Sequence, residues 1–141
     1  MAVIGERATS CGMQKAPIRD YRDLIVWQKA MDLALACEKV CVELPSRASS
    51  VATQIRRAAV SIPANIAEGN GRFSRLDYIK HLSIANGSVK ELETHLEFSA
   101  RAYGRTPAIE SALKLAVDVS RLLAGLVRAL RGKRKGIDLG S

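Results

Sequence analysis

Tyr78, Leu82, Ala85, Val89, Leu92, Leu96, Ser99 and Tyr103 recur at alternating intervals of four and three residues. At 3.6 residues per turn this rhythm holds one apolar stripe in line for about seven turns, whereas a strand would alternate every second residue. Such a stripe is too long for a lone amphipathic helix to leave in water, so it must pack against other helices. The same rhythm appears in Val26, Ala30, Leu33, Cys37, Val40 and Leu44, a seam that Pro45 should stop. The predicted class is all-α, an antiparallel up-down four-helix bundle.

The remaining helices are read from their ends as much as from their stripes. A second helix is predicted over about Ser50 to Glu68, closed by Gly69 and Gly71. The third begins at Ser74, a cap with Asp77 three residues on, and its small residues Ser83, Ala85, Gly87 and Ser88 predict a close helix approach. Thr106 and Pro107 have the cap and first-turn chemistry that opens a fourth. Two helices carry a second apolar face: Leu24, Trp27, Met31, Leu35 and Val42 on the first; Ile109, Leu113, Ala116, Leu123, Val127 and Leu130 on the fourth, beside Ala108, Ala112, Leu115, Val119, Leu122, Leu126 and Ala129. A band wider than one core needs must be buried elsewhere, so these faces predict subunit interfaces.

The second helix contains a local exception. Val51, Ile55, Ala58, Ile62 and Asn65 share one face, and Pro63 interrupts it. Proline has no N–H for the carbonyl four residues back and its ring crowds that carbonyl, so a kink is expected, with Asn65 placed to satisfy a freed backbone group. We therefore group Ser61, Pro63, Asn65, Glu68 and Gly69 as a structural kink. An amide at this position serves packing specificity better than chemistry.

Gln54-Ile55-Arg56-Arg57-Ala58, the run from Ser61 to Gly69, and His81-Leu82-Ser83-Ile84-Ala85-Asn86-Gly87-Ser88 followed by Glu91-Leu92-Glu93-Thr94 resemble the four-helix-bundle protein family encoded in intervening sequences of large-subunit ribosomal RNA genes. That family is similar to the accessory variability protein of diversity-generating retroelements. Tyr21 to Ala30 fits as well, so the resemblance spans about residues 20 to 131. It implies four antiparallel helices per subunit and a homopentameric ring. Asn86 stands where the family pattern usually has an arginine.

The domain division that follows is a flexible segment over 1–19, the bundle over 20–131 and a flexible basic tail over 132–141. A chain of 141 residues, 48% hydrophobic but only 4% aromatic, suits one helical core of Leu, Ala, Val and Ile. No apolar run is long enough for a membrane span or a signal peptide, so a cytoplasmic protein with no membrane partner is expected. Cys11, Cys37 and Cys41 lack a disulfide framework. Cys37 and Cys41 are one turn apart, but the only histidines, His81 and His95, belong to another predicted helix; buried free thiols are expected, with no metal and no cofactor.

The net charge of +8 favours anionic partners. Arg56, Arg57, Arg72, Arg75 and Lys80 gather around the second helix, its loop and the start of the third, and form the candidate nucleic-acid-binding set. Arg56 and Arg57 can instead pair with acids such as Glu68 or Glu91 as solvated surface pairs. Arg128, Arg131, Lys133, Arg134 and Lys135 lie where cations complement a helix dipole. The expected role is a non-enzymatic oligomeric scaffold that binds nucleic acid or a nucleic-acid-processing protein. The alternative is a metal-independent ribonuclease: Arg75 and His81 resemble the Arg-x4-6-His signature of helical HEPN ribonucleases, in which a histidine deprotonates a ribose hydroxyl and an arginine steadies phosphate charge. Leu76 replaces the polar residue that often follows that arginine.

Overall fold

The computed structural model describes residues 20–140, with side chains through Gly132, and its elements are four helices and two short 3-10 turns. Helix α1 is Ile25–Glu43, α2 is Ser49–Asn70, α3 is Arg75–Tyr103 and α4 is Pro107–Gly140. Helices adjacent in sequence pack on each other, and α1 closes the ring of contacts against α4. The short connections make neighbours antiparallel, so the architecture is the up-down bundle that the stripes dictate. Cys11 and the rest of 1–19 lie outside the described residues.

The core is drawn from the predicted seams. Val26, Ala30, Leu33, Cys37 and Val40 of α1 share one buried cluster with Leu82, Ala85, Val89, Leu92 and Leu96 of α3, all at most 5% exposed, and with Ile55, Ile62 and Ile66 of α2 and Ile109, Val119 and Leu123 of α4. Ser99, the stripe's one polar member, is fully buried and donates to the His95 carbonyl at 2.9 Å. Hydroxyl pairings tie α3 to both of its sequence neighbours: Ser61 Oγ lies 2.7 Å from Ser88 Oγ, and Ser120 Oγ donates to Asn86 Oδ1 at 2.8 Å. Each half-buried pair satisfies groups that apolar neighbours would leave stranded, and so fixes helix register.

The ends follow their caps. Leu44 leaves α1 in extended conformation ahead of Pro45. Ser74 Oγ accepts from the Asp77 N–H and Thr106 Oγ1 from the Ile109 N–H. Gly104 ends α3 at φ 112°, a backbone conformation that side chains resist. Arg105, next in the chain, bonds both Glu97 of α3 and Glu110 of α4 and clasps the turn.

Several expectations change. Helix α2 runs to Asn70, and Gly71 has φ −81°, so no left-handed glycine closes it. Gly69 is helical and buried, and its missing side chain serves packing: a Cβ there would meet His81 Cβ at 2.7 Å and the Tyr78 carbonyl at 3.2 Å. Gly87, expected to mediate close approach, is exposed, and a Cβ there would meet nothing within 4 Å. The buried face of α2 is Ala52, Ile55, Ala58, Ala59, Ile62, Pro63, Ile66 and Gly69, with Val51 and Asn65 at its half-buried margin. Leu24, placed on the spare face of α1, is buried, and Leu123, placed on the spare face of α4, is a core residue at 1% exposure.

Candidate nucleic-acid interface

The five basic residues divide into two groups. Arg56 and Arg57 lie mid-helix on α2, whereas Arg72, Arg75 and Lys80 surround the loop that joins α2 to α3. From Arg57 to Asn70 at the helix end is about 20 Å at 1.5 Å per residue. One subunit therefore presents two basic patches along its length, and not one cluster.

Their partners differ as well. Arg56 Nε donates to both oxygens of Glu38 on α1, at 2.7 and 3.1 Å. Neither Glu68 nor Glu91, the acids the sequence offered, is its partner: Glu91 faces His95 at 3.4 Å, and Glu68 bonds Arg72 at 2.8 Å. No sequence signal connects position 38 to position 56, since the pair forms across two helices. Among the described residues Arg57, Arg75 and Lys80 have no carboxylate within ion-pair distance. The Arg56–Glu38 and Arg72–Glu68 pairs are half-exposed, and surface pairs contribute about 0–1 kcal/mol, so a phosphate can displace either carboxylate at small cost.

The segment expected to kink lies within α2, with Pro63 inside the helix. The carbonyl that Pro63 leaves without its usual donor is that of Ala59, four residues back. Asn65 reaches a different one: its Nδ2 donates to the Ser61 carbonyl at 2.8 Å, while Ser61 Oγ lies 2.8 Å from the Ala58 carbonyl. The end of this segment joins the loop. Glu68 bonds Arg72 and lies 3.3 Å from His81 Nε2, and these contacts, Arg72 first, hold its carboxyl below the usual carboxylate range.

His81 is mostly buried, with Nδ1 3.0 Å from the Asp77 carbonyl, which can only accept. Nδ1 therefore carries a hydrogen, and Nε2 faces Glu68. Arg75 is six residues earlier on the same helix, about 120° away around its axis. Both ring nitrogens of His81 thus have protein partners, and the arginine of the ribonuclease pattern is on another face.

Cys37 and Cys41 are free and buried, and Cys41 Sγ lies 3.5 Å from the Ala52 carbonyl. Burial pushes the Cys37 thiol up to about 12 and raises that of Cys41. Among the described residues no group of three or more His, Cys, Asp or Glu side chains is placed to hold a metal, and no helix is long and apolar enough to cross a membrane.

An apolar surface accompanies the basic patches. Met31, Leu35 and Val42 of α1 and Val60 of α2 are exposed, and Met31, Leu35 and Val60 border a groove of about 500 Å³ with Tyr21, Trp27 and Pro63. The second face of α1 is thus present on the surface, while that of α4 is divided: Leu113, Val127 and Leu130 are half-buried against the core.

Comparison with solved structures finds a protein of unknown function from the S23 ribosomal protein family of Bacteroides thetaiotaomicron, 28% identical, with a TM-score of 0.67 over 73% of this chain and 98% of that one. The comparison with curated proteins found no match. The family described as 23S rRNA-intervening sequence protein matches residues 22–125, which hold α1 to α3, most of α4 and both basic patches. This chain belongs to the 23S rRNA-intervening sequence protein family.

Proposed function

We propose that the protein is a non-enzymatic scaffold, a homo-oligomer and in particular a five-membered ring, that binds nucleic acid or a nucleic-acid-processing protein through its basic surface. One observation carries the reading: a bundle with an exposed apolar face on α1 and α2 also displays Arg57, Arg75 and Lys80 without carboxylate partners among the described residues. The apolar face gives copies of the chain a surface to bury, since exposed apolar area of this kind marks an interface. Association then repeats the two patches of each subunit around the assembly, so groups about 20 Å apart within one chain become a periodic array along a polyanion. The resemblance to the accessory variability protein of diversity-generating retroelements agrees with such a role.

Binding of this kind is electrostatic and reads little sequence, because the available groups contact phosphates and few are placed to read base edges. The test is a salt titration of oligonucleotide affinity together with light scattering. The slope of log affinity against log salt should fall by about 0.7 for each single-strand phosphate contact removed when Arg57, Arg75 or Lys80 is changed to alanine. Affinity that is constant with salt, strong preference for one short sequence, or a monomer at micromolar concentration would each contradict the proposal.

A further inference from the structure

Resting on the nucleic-acid reading above, we propose that Phe73 is a stacking platform for an unpaired base and that the α2–α3 loop directs the protein to single strands. Phe73 is wholly exposed, the extreme among the large apolar side chains, and Leu76 beside it is 57% exposed. A phenyl ring held in water with no packing is an informative exception, because burial is its default.

The loop around it is tied down. Arg72 bonds back to Glu68, Ser74 caps α3, the Asn70 amide donates to Tyr78 Oη at 3.2 Å, and His81 links Glu68 to the Asp77 carbonyl. Gly69 brings the two helices close enough for these contacts. These neighbours are anchored toward the bundle, and Phe73 stands away from it. A ring carried on a fixed backbone spends only its own side-chain torsional freedom, and none of the loop's, when a base stacks on it.

Charge identifies the partner. Arg75 and Lys80, both without carboxylate partners among the described residues, follow Phe73 in the first two turns of α3, and Leu76 and Lys80 share a face of that helix four residues apart. Of the nearby acids, Glu68 is engaged by Arg72 and His81, which leaves Asp77 as the open negative group bordering a depression of about 590 Å³ beside the ring. Cations beside an exposed aromatic face match the alternating phosphate and base of a single strand, which stacks on any aromatic regardless of sequence. A duplex keeps its bases stacked inside and gains nothing from the ring.

The experiment measures binding of the full-length protein to a labelled oligothymidylate and to a labelled random-sequence duplex. Phe73→Ala should weaken the single strand by about 5- to 150-fold. It should leave duplex affinity and the single-strand salt slope unchanged, since no phosphate contact is lost. Phe73→Trp should restore tight binding. Wild type that binds both probes while Phe73→Ala binds them equally well overturns the stacking role alone, as does an equal loss on both probes. Wild type that binds neither overturns the nucleic-acid reading together with it.

Discussion

Gly69 of α2 and His81 of α3 approach so closely that a single methyl group on the glycine would come within 2.7 Å of the histidine Cβ. That atom is anchored to the α3 backbone and cannot swing aside as a flexible side-chain end would. Gly69→Ala should therefore lower stability by up to about 2 kcal/mol, an overpacking cost of about 1–3 kcal/mol less alanine's helix preference of about 1 kcal/mol. Urea melts of the two proteins check this; equal or higher stability of the alanine variant would show that the helices separate without cost.

Asn65→Leu separates a backbone role from a packing one. From the sequence, loss of the amide predicts a cost of about 1–3 kcal/mol for an unpaired buried group. The structure lowers the figure, because Asn65 is only half-buried and bonds the Ser61 carbonyl within α2. A change within about 1 kcal/mol is expected, since leucine's better helix propensity offsets one lost hydrogen bond. A larger loss in thermal melts would mean that the amide supports more than this carbonyl.

Buried thiols make the alkaline limb steep. The folded state holds the Cys37 proton up to about pH 12, whereas the unfolded thiol releases it near 9. The stability linked to this proton is full below about pH 9 and is lost as pH rises toward 12. Cys37→Ala should flatten stability against pH in that window. Both described thiols should resist an alkylating reagent at neutral pH until the protein unfolds, and rapid native labelling would contradict their burial.

The two leucines on the nominal spare faces should respond differently to charge. Leu35 is 65% exposed on α1, so Leu35→Glu should leave the subunit folded and shift the assembly toward smaller species in light scattering. Leu123 is in the core, and Leu123→Glu should unfold the subunit instead, since an unpaired buried carboxylate costs several kcal/mol. Unchanged assembly of Leu35→Glu would place the subunit contact elsewhere.

The fold was legible wherever periodicity and caps act locally. The α3 stripe from Leu82 to Ser99, the Pro45 stop and the Ser74 and Thr106 caps all follow from spacing and backbone chemistry. What was not legible depends on how one helix is rotated against another. Leu123 and Leu115 look alike in the α4 pattern, yet one is core and the other half-buried. Gly69 and Gly87 are both helical glycines, and only the three-dimensional neighbourhood shows that the first is obligatory for packing. The basic residues of the candidate site were legible as charges, but Glu38 as the partner of Arg56 required the α1–α2 contact.

The anchored α2–α3 loop has an evolutionary consequence. Because Arg72, Ser74, Asn70 and His81 carry the folding duties around it, position 73 is free of them. Drift there should leave the bundle intact, so under the stacking proposal selection at that position answers to the bound strand alone. A lineage could exchange one partner for another by changing this residue while retaining the scaffold it inherited.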